Sequence, residues 1–335
     1  MTQTVIIPYT PRRITSQDIT RLKTSLTNLR PGLRVKAFDL NYIPLWLAEK
    51  FTADTVTVTL NNDLRPDIFD FIPGPQFFAP ERSKTQLLKA LIQAGLPVPH
   101  SQPFNSNATP GQEQFGPYIA IKTTAPGTTR AYGITVCKTA DFAALKPEIE
   151  NLYQSDIAKG YMPVLQQYVP TGPNPCHTRI TTFLGSPIVC FTTTAILPFD
   201  PAKMSGIAQG EATSNFKEER ARQLVEDEGF VALARKVAAI FPETSVLSID
   251  MVRCADTRKI YCLEANQGNL SVLSAPICES LRRDLGASEV LAQFSAYDTM
   301  ASRIVEILDA GGSHSEMPPI AQSRNVTKGA EGSKA

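Results

Sequence analysis

The sequence predicts a mixed fold, in which an α/β part is followed by an α+β part. A strand, a helix and a second strand follow one another at residues 4–7, 16–29 and 34–38, and this order is typical of a small parallel sheet. From Tyr118 onward, short strands and turns surround one helix, which is typical of an α+β lobe. Residues 246–273 are predicted to form a β-hairpin that carries oxygen-bearing side chains.

The first domain continues with the same alternation of elements. A helix is predicted at residues 43–51, and a strand at residues 55–60, where Val56 and Val58 alternate with threonines. The proline-rich segment 66–80 then indicates a loop that ends this domain.

The start of the next helix is clearly marked. Ser83 is predicted as the N-cap and Gln86 follows three positions later, which is the pattern of a capping box. Gly95 can end this helix. The side chains expected to form its buried stripe are Leu87, Leu88, Leu91 and Ile92.

The remaining elements alternate between strands and helices. Strands at 179–183 and 188–194 are predicted to form a hairpin that turns at Gly185 and Ser186. The helices are predicted at residues 140–153, at residues 216–241 with an interruption at Gly229, and at residues 289–308.

These elements divide the chain into four segments. The predicted boundaries are 1–97 for the first domain, 98–170 for a small lobe, 171–310 for a C-terminal lobe and 311–335 for a tail. The tail is rich in Gly, Ser and Lys and has few apolar residues, so it is expected to be disordered.

Composition excludes several classes of function. The 335 residues are 42% hydrophobic and carry a net charge of +1, so no global field would recruit nucleic acid or an anionic membrane. No apolar run has the length of a signal peptide core or a membrane span, and the protein is therefore expected in the cytoplasm. The six cysteines lack zinc-site spacing and are expected to be mostly small buried side chains.

The hairpin at 246–273 carries the clearest chemical signal. Because side chains alternate along a strand, Glu264 and Asn266 are predicted to share a face with Cys262, opposite Asp250 in the preceding strand. Carboxylate and amide oxygens are hard ligands that suit Mg²⁺. The alternative interpretation is an edge hairpin with a solvated polar face.

Four segments in order resemble the ATP-grasp superfamily, in particular its glutathione synthetase and ribosomal-protein glutamate ligase branch. They are ERSKTQLLKALIQAGLPVPHS at 81–101, PYIAIK at 117–122, VLQQYVP at 164–170, and SIDMV with CLEAN at 248–252 and 262–266. The resemblance covers residues 83–273. It implies a pre-ATP-grasp parallel α/β domain, followed by the two α+β lobes of an ATP-grasp domain.

The resemblance also implies that the protein binds ATP with Mg²⁺, for which Mn²⁺ could substitute. In such proteins an Asp, a Glu and an Asn hold the metal, and these positions match Asp250, Glu264 and Asn266 here. Lys84 and Lys122 match lysines that contact the phosphates, although an isolated lysine is usually only a solvated surface group. The residues implied to contact the adenosine are Gln166, Gln167, Tyr168 and Val169 at the base and His177, or Asn174, at the ribose.

Two positions depart from the family pattern. The loop 123–133 has only Gly127 and Gly133, whereas the family has a denser glycine cluster over the phosphates, and Arg130 could supply charge there. The arginine that steadies the transferred phosphoryl group is matched by Thr194. Arg179 and Lys203 are therefore the candidate catalytic cations, with an arginine of the first domain as an alternative to Lys203. The resemblance also implies that Asn215 lies near the phosphates.

The implied activity is a carboxylate–amine ligase that forms an amide or peptide-like bond through an acyl phosphate. The alternatives are an ATP-grasp phosphotransferase and a nucleotide-binding protein that has lost turnover. The implied substrates are a small-molecule or peptide carboxylate and an amine, without nucleic acid or membrane partners, and the chain could form a homo-oligomer. The segments expected to line the substrate pocket are Arg12, Arg13, 39–42 and 269–271.

Overall fold

A computed structural model of the protein describes residues 3–42, 44–48, 51–61, 69–78, 82–105, 107–125, 133–214, 220–268 and 270–311. Within these ranges the chain forms three β-sheets, each built from its own part of the sequence. None of the described helices has the length and apolar composition needed to cross a membrane.

The first sheet is parallel, as predicted, with the strand order β2-β1-β3-β4. Its strands are β1 (Thr4–Tyr9), β2 (Arg34–Asp39), β3 (Thr55–Val58) and β4 (Gln76–Phe77). Helix α1 (Ser16–Leu29) connects the first two strands and starts at a capping box between Thr15 and Asp18. The predicted parallel arrangement of the strands in this domain is therefore confirmed.

The helix predicted at 43–51 was wrong. Leu45–Ala48 form one turn of 3₁₀ helix, in which Leu47 is buried and Leu45 is exposed. One buried leucine in a single turn does not provide the continuous apolar stripe of an amphipathic helix. The strand predicted at 55–60 is correct but ends at Val58.

Helix α2 (Lys84–Gln93) starts as predicted. The Ser83 side chain accepts a hydrogen bond from the backbone N–H of Gln86, and the Gln86 side chain accepts one from the backbone N–H of Ser83. Gly95, with a φ of +67°, follows the helix end. Leu87 and Leu91 are buried, but Ile92 was predicted wrongly, since it lies about 100° around the helix from Leu91 and is 49% exposed.

Replacing Ser83 with alanine is expected to lower the free energy of unfolding by about 1 kcal/mol, because the N-cap acceptor is lost. Urea unfolding would measure this change. Lys89→Ala, at an exposed position of the same helix, is the matched control. Equal unfolding free energies for the two variants would contradict a stabilising role for the cap.

The second sheet is antiparallel, with the strand order β5-β8-β6-β7. Its strands are β5 (Ser101–Pro103), β6 (Tyr118–Lys122), β7 (Ile134–Lys138) and β8 (Val164–Gln167). Two helices accompany it, the short α3 (Gln112–Phe115) and α4 (Phe142–Ala158), and α4 extends five residues beyond the predicted end at 153. Ile149 and Tyr153 of α4 are buried in a core with Ile119, Ile121 and Leu165 of the sheet.

The third sheet has five strands in the order β11-β10-β9-β12-β13, and all its pairs are antiparallel. The strands are β9 (Cys176–Phe183), β10 (Ser186–Ala195), β11 (Arg220–Leu224), β12 (Val246–Arg253) and β13 (Ile260–Gln267). The predicted hairpin between β9 and β10 exists, but its two turn residues are Leu184 and Gly185, both at positive φ. Positive φ at both positions is the geometry of a type I′ turn.

The helix predicted at 216–241 was wrong in its first part. Residues 220–224 form the edge strand β11, which pairs with β10, and only Glu228–Ala239 form helix α5. The Asp227 side chain accepts hydrogen bonds from the backbone N–H groups of Gly229 and Phe230, so it fixes the helix start. Gly229 therefore lies in the first turn of a helix and does not interrupt one.

The C-terminal region consists of short helices: α6 (Ser271–Ser274), α7 (Glu279–Leu285), α8 (Ala287–Ala292) and α9 (Ala296–Asp309). The single helix predicted at 289–308 was wrong, because the segment divides into α8 and α9, and Gln293 directly follows the end of α8. Its side chain bonds to the backbone N–H and carbonyl of Cys190 and to the carbonyl of Val225. Ser295 then has a φ of +47°, which breaks the helix before α9.

The first and third sheets share one hydrophobic core. Ile304 and Ile307 of α9 pack with Leu22 of α1 and with Val189 of β10. On its other face the third sheet packs against α5 and α2. Four of the six cysteines are buried, as predicted. The predicted tail 311–335 lies outside the described residues except for Gly311.

Candidate functional site

A cavity of about 690 Å³ opens between the second and third sheets. Its walls come from β6, β7 and β8 of the second sheet, from one face of the third sheet, and from α6, α7 and the segment between them. Lys84 of α2 also lines it. Since both sheets contribute side chains, the cavity is the place where the predicted site residues can meet.

The hairpin β12–β13 carries the three predicted oxygen ligands to this cavity. Asp250 pairs with Glu264 in the strand register, and the next position on the same face pairs Ser248 with Asn266. The Asn266 amide donates a hydrogen bond of 2.9 Å to Glu264 Oε1. The three side chains therefore lie next to one another on the cavity wall, as predicted.

The predicted position of Cys262 was wrong. A β-bulge next to Leu263 shifts the register between Asp250 and Met251, so that Cys262 pairs with Met251. The extra residue reverses the alternation of side chains. Cys262 consequently lies with Ala265 in the core against α5, on the face opposite Glu264.

Arg179 on β9 forms a bidentate ion pair with Asp250. Its Nε and one terminal nitrogen each donate a hydrogen bond of 2.7 Å to Asp250, one to each oxygen. Burial would raise the pKa of Asp250, but the charge and hydrogen bonds of Arg179 outweigh this effect and lower the pKa to about 2. The charge of Asp250 in turn raises the pKa of Arg179. Both groups therefore carry their charges at neutral pH.

His177 is buried beside this ion pair. Its Nδ1 lies 2.6 Å from the Ser214 hydroxyl, and its Nε2 lies 3.9 Å from Asp250 Oδ1. Burial lowers the pKa of His177 to about 4, against the opposing charge of Asp250, so the ring is neutral at neutral pH. His177 lines the cavity. Asn174, the alternative ribose ligand, instead donates to the carbonyls of Ala195 and Ile196.

The two predicted phosphate lysines also line the cavity. Burial lowers the pKa of Lys122, while the charges of Glu264 and Asp250 raise it and that of Lys84 lowers it further. Lys122 therefore interacts electrostatically with both the acidic hairpin and the other lysine. Lys84 is the first residue of α2, directly after the N-cap Ser83.

Gln166, Gln167, Tyr168 and Val169 all line the same cavity. The Gln166 amide donates to the Ser101 hydroxyl at 3.1 Å, and the Tyr168 hydroxyl donates to the carbonyl of Ala212 at 3.1 Å. Burial raises the pKa of Tyr168. Apolar side chains of β6 and β7, Ala120 and Val136, line the same region.

Two predicted positions do not reach the cavity. Lys203 is 86% exposed, lies 3.4 Å from Asp200 and is not part of the cavity wall, so the structure does not support its predicted catalytic role. On β10 it is Thr193 that lines the cavity, whereas Thr194 does not. The alternation of side chains along the strand explains this difference.

Arg220 and Arg222 line the cavity but were not predicted. Both belong to β11, where Arg222 pairs with Thr193 in the strand register. Arg222 is also paired with Asp284 of α7. The signal in the sequence was the period-two pattern RARQL, which the prediction of a helix at 216–241 concealed.

Several other residues that the sequence predicts at the site are not found on the cavity wall. Gly127, Arg130, Asn215 and Asn269 lie outside the described residues. The other segments expected in the substrate pocket, Arg12, Arg13, 39–42, Leu270 and Ser271, do not line this cavity. Among the described residues, no group of three or more His, Cys, Asp or Glu side chains is placed to hold a metal. The three predicted oxygen ligands on the hairpin are two carboxylates, Asp250 and Glu264, and one amide, Asn266, so they do not form a group of that kind.

The overall structure is similar to solved structures of other proteins. The D-cycloserine synthetase DcsG has a TM-score of 0.51 and 15% identity, over 91% of this chain and 99% of that one. The ATP-grasp ligase PsnB, complexed with minimal precursor, Mg and ADP, has a TM-score of 0.51 and 14% identity, over 93% of this chain and 99% of that one. No protein-family model and no curated protein matches the sequence. At such low identity the likeness shows the fold alone, which this chain shares with DcsG and with the ATP-grasp ligase PsnB.

Proposed function

We propose that the protein is an ATP-dependent carboxylate–amine ligase that forms an amide bond through an acyl phosphate. The observation that carries this proposal is the meeting of Asp250, Glu264, Asn266, Lys84 and Lys122 around one cavity between two sheets. Carboxylate oxygens and ammonium groups in one cavity suit a magnesium nucleotide, whose phosphates need cations on several sides. PsnB, which has the same fold, is a ligase whose solved complex contains Mg and ADP.

The chemistry of the hairpin oxygens fits Mg²⁺ or Mn²⁺. The hydrogen bond from the Asn266 amide nitrogen to Glu264 fixes the amide, so that its carbonyl oxygen is available as a ligand. Asp250 is held ionised by Arg179, and a carboxylate oxygen can accept more than one bond. A metal bound by Asp250, Glu264 and Asn266 would neutralise charge between the phosphates.

The other predicted residues have proposed roles in binding the nucleotide and in catalysis. Lys84 and Lys122 would contact the phosphates, and residues 166–169 would hold the adenine against the apolar wall of the second sheet. Neutral His177 would face the ribose. Arg179 is the proposed catalytic cation. In the division 1–97, 98–170 and 171–310, each segment contains the strands of one sheet.

The proposed reaction has two balanced steps. An oxygen of the substrate carboxylate attacks the γ-phosphorus of ATP, the bond to the β-phosphate oxygen breaks, and ADP leaves. The nitrogen of an amine then attacks the acyl carbon, the bond to phosphate breaks, and the amine gives up a proton. The first step brings two anions together and the second needs the amine held against the acyl carbon, so the protein contributes positive charge and positioning and needs no nucleophile of its own.

Product analysis tests this proposal. ADP and phosphate should form together only when MgATP, an acid and an amine are all present. A phosphorylated acid as the final product would instead indicate a phosphotransferase. ATP binding without ADP formation from any acid and amine would indicate a nucleotide-binding protein that has lost turnover.

ATP with Mg²⁺ is expected to raise the melting temperature of the protein, because a ligand that binds only the folded state stabilises it by mass action. GTP should raise it less, since the adenine would be recognised by the wall formed by residues 166–169. Differential scanning fluorimetry at matched concentrations would measure both shifts. Equal shifts with the two nucleotides would contradict the proposed adenine site.

A further inference from the structure

Two groups of apolar side chains line the cavity. Ala120 and Val136 belong to one hydrophobic cluster, against which Tyr168 packs, and they line the region proposed above for the adenine. Phe191 and Val272 line the cavity too, but they belong to a different cluster, the core shared by the first and third sheets. The proposed nucleotide site makes no use of this second group.

Two further residues, from α7 and from the segment before it, extend the second group. Leu281 of α7 packs against the same cluster as Phe191 and Val272, and it also lines the cavity. Ile277, in the segment between α6 and α7, lines the cavity and is 65% exposed. We call Phe191, Val272, Ile277 and Leu281 the second apolar wall. Ile277 gives this wall apolar surface that the protein itself leaves uncovered.

The helices that carry the second apolar wall are anchored. Arg222 of the edge strand β11 forms an ion pair with Asp284 of α7. Arg282, also on α7, donates hydrogen bonds to the carbonyls of Ser271, where α6 starts, and of Ala275, directly after its end. These contacts connect α7 to the third sheet and to α6, so the wall is built on elements that are held together.

Phe191 lies in one row with two of the proposed metal ligands. In the strand register Phe191 pairs with Arg179, and Arg179 pairs with Asp250. Asp250 in turn pairs with Glu264. Since neighbouring strands are about 4.8 Å apart, Phe191 lies about 10 Å from Asp250 across the sheet. A reactant held at the metal would therefore reach the second apolar wall with a short side chain.

Of the two reactants, the acid is the one that must reach the metal. In the proposed first step its carboxylate attacks the γ-phosphorus, so it has to lie beside the phosphates at Asp250 and Glu264. Arg179, the proposed catalytic cation, stands in the row between this place and Phe191. An apolar group that contacts the second apolar wall would thus be attached to the acid. Ligand pockets commonly combine such apolar lining with a few polar groups that fix orientation.

We propose that the acid substrate carries an aliphatic side chain, which binds to the second apolar wall formed by Phe191, Val272, Ile277 and Leu281. The proposal rests on the ligase function proposed above, and it adds the substrate class. Ile277 is the most exposed of the four side chains and so has the most apolar surface left to bury against a ligand. In this arrangement Ile277 is a specificity-determining residue.

Acids of graded apolar content test the substrate class. Alanine, 2-aminobutyrate, norvaline and norleucine differ by one methylene group each, and the fatty acids from acetate to hexanoate repeat the series without an amino group. Each acid is incubated with MgATP and hydroxylamine, which converts an acyl phosphate to a hydroxamate, and ADP and hydroxamate are measured. In at least one series kcat/KM should rise about fourfold for each added methylene group, which corresponds to about 0.8 kcal/mol.

Two pairs of similar shape separate apolar contact from size. Leucine and asparagine differ in polarity but little in volume, as do valine and threonine. The apolar member of at least one pair should have a kcat/KM at least about tenfold higher than the polar member.

Three variants test the role of the wall. Ile277→Ser should reduce the preference for the apolar acid at least about fivefold, because apolar contact area is lost, while KM for ATP should stay unchanged. Ile277→Val keeps an apolar side chain and should retain most of the preference. Ile196→Ser is the control, since Ile196 is 57% exposed but does not line the cavity, and it should match the unmodified protein.

A binding measurement keeps the test decisive if none of these acids is turned over. The same acids are titrated against the protein with Mg²⁺ and a non-hydrolysable ATP analogue, and the thermal shift is recorded. The shift should increase along the series and be larger for the apolar member of a pair. Equal or absent shifts throughout, or a preference that Ile277→Ser leaves unchanged, would overturn the substrate class.

Two further outcomes separate this proposal from the ligase function. Equal turnover of all the acids, or a dependence on the length of the amine from methylamine to pentylamine instead of the acid, would overturn the substrate class while the ligase function would stand. Absence of any ATP binding, measured before an acid is added, would overturn the ligase function itself and, with it, the substrate class.

Discussion

Replacing Glu264 with glutamine is expected to reduce turnover by two to three orders of magnitude, while the protein remains folded. Glutamine keeps an oxygen that can accept the hydrogen bond from the Asn266 amide, so the local geometry has an equivalent partner. The negative charge that would hold the metal between the phosphates is lost. Removal of one such electrostatic contact typically raises the barrier by about 3 kcal/mol.

Steady-state ADP formation at several Mg²⁺ concentrations would measure this effect, and urea unfolding would check the fold. Glu228→Gln is the matched control, because Glu228 is an exposed acid on α5, remote from the cavity wall. Near-normal turnover of Glu264→Gln at limiting Mg²⁺ would refute the metal assignment.

The second large effect is expected for Lys122→Met, which should lower single-turnover ADP formation by about a hundredfold. Methionine fills nearly the same volume, but it cannot offset the charge of the phosphates. Lys122 also interacts electrostatically with Lys84 and with the carboxylates of Glu264 and Asp250, so its loss removes a cation that offsets the charge of the acidic hairpin near the incoming anion.

Single-turnover rates at saturating ATP, together with the dissociation constant for ATP, would separate the chemical step from nucleotide binding. Lys159→Met, at the exposed end of α4, is the control. Wild-type rates for Lys122→Met would remove Lys122 from the proposed phosphate site.

The sequence predicted best those elements whose ends are fixed by local chemistry. The helix after Ser83 begins at a reciprocal capping box, and the hairpin at Gly185 turns within two residues, so neither depends on distant contacts. The segment 216–241 was predicted less well, because its first part forms an edge strand only through pairing with β10. The break between α8 and α9 was also unpredictable locally, since the partners of the neighbouring Gln293 side chain, Cys190 and Val225, are far away in sequence.

In the candidate site, too, the residues that local rules position were predicted, and those that depend on distant strand pairing were not. Asp250, Glu264 and Asn266 could be placed together because two paired strands carry them, and alternation along each strand is a local rule. The bulge that moves Cys262 to the other face interrupts that rule without a clear sign in the sequence. Arg222 was missed because its position beside Thr193 depends on the strand order of a five-stranded sheet.

The most direct test of the central claim is transfer of an isotope from the acid to phosphate. The acid that supports the highest turnover is labelled with ¹⁸O in its reacting carboxylate and incubated with MgATP and the amine, and the released phosphate is examined by mass spectrometry. Attack of the carboxylate on the γ-phosphorus predicts phosphate that carries one ¹⁸O atom from the acid. Turnover that releases only unlabelled phosphate, or that places the label in AMP, would contradict an acyl-phosphate ligase.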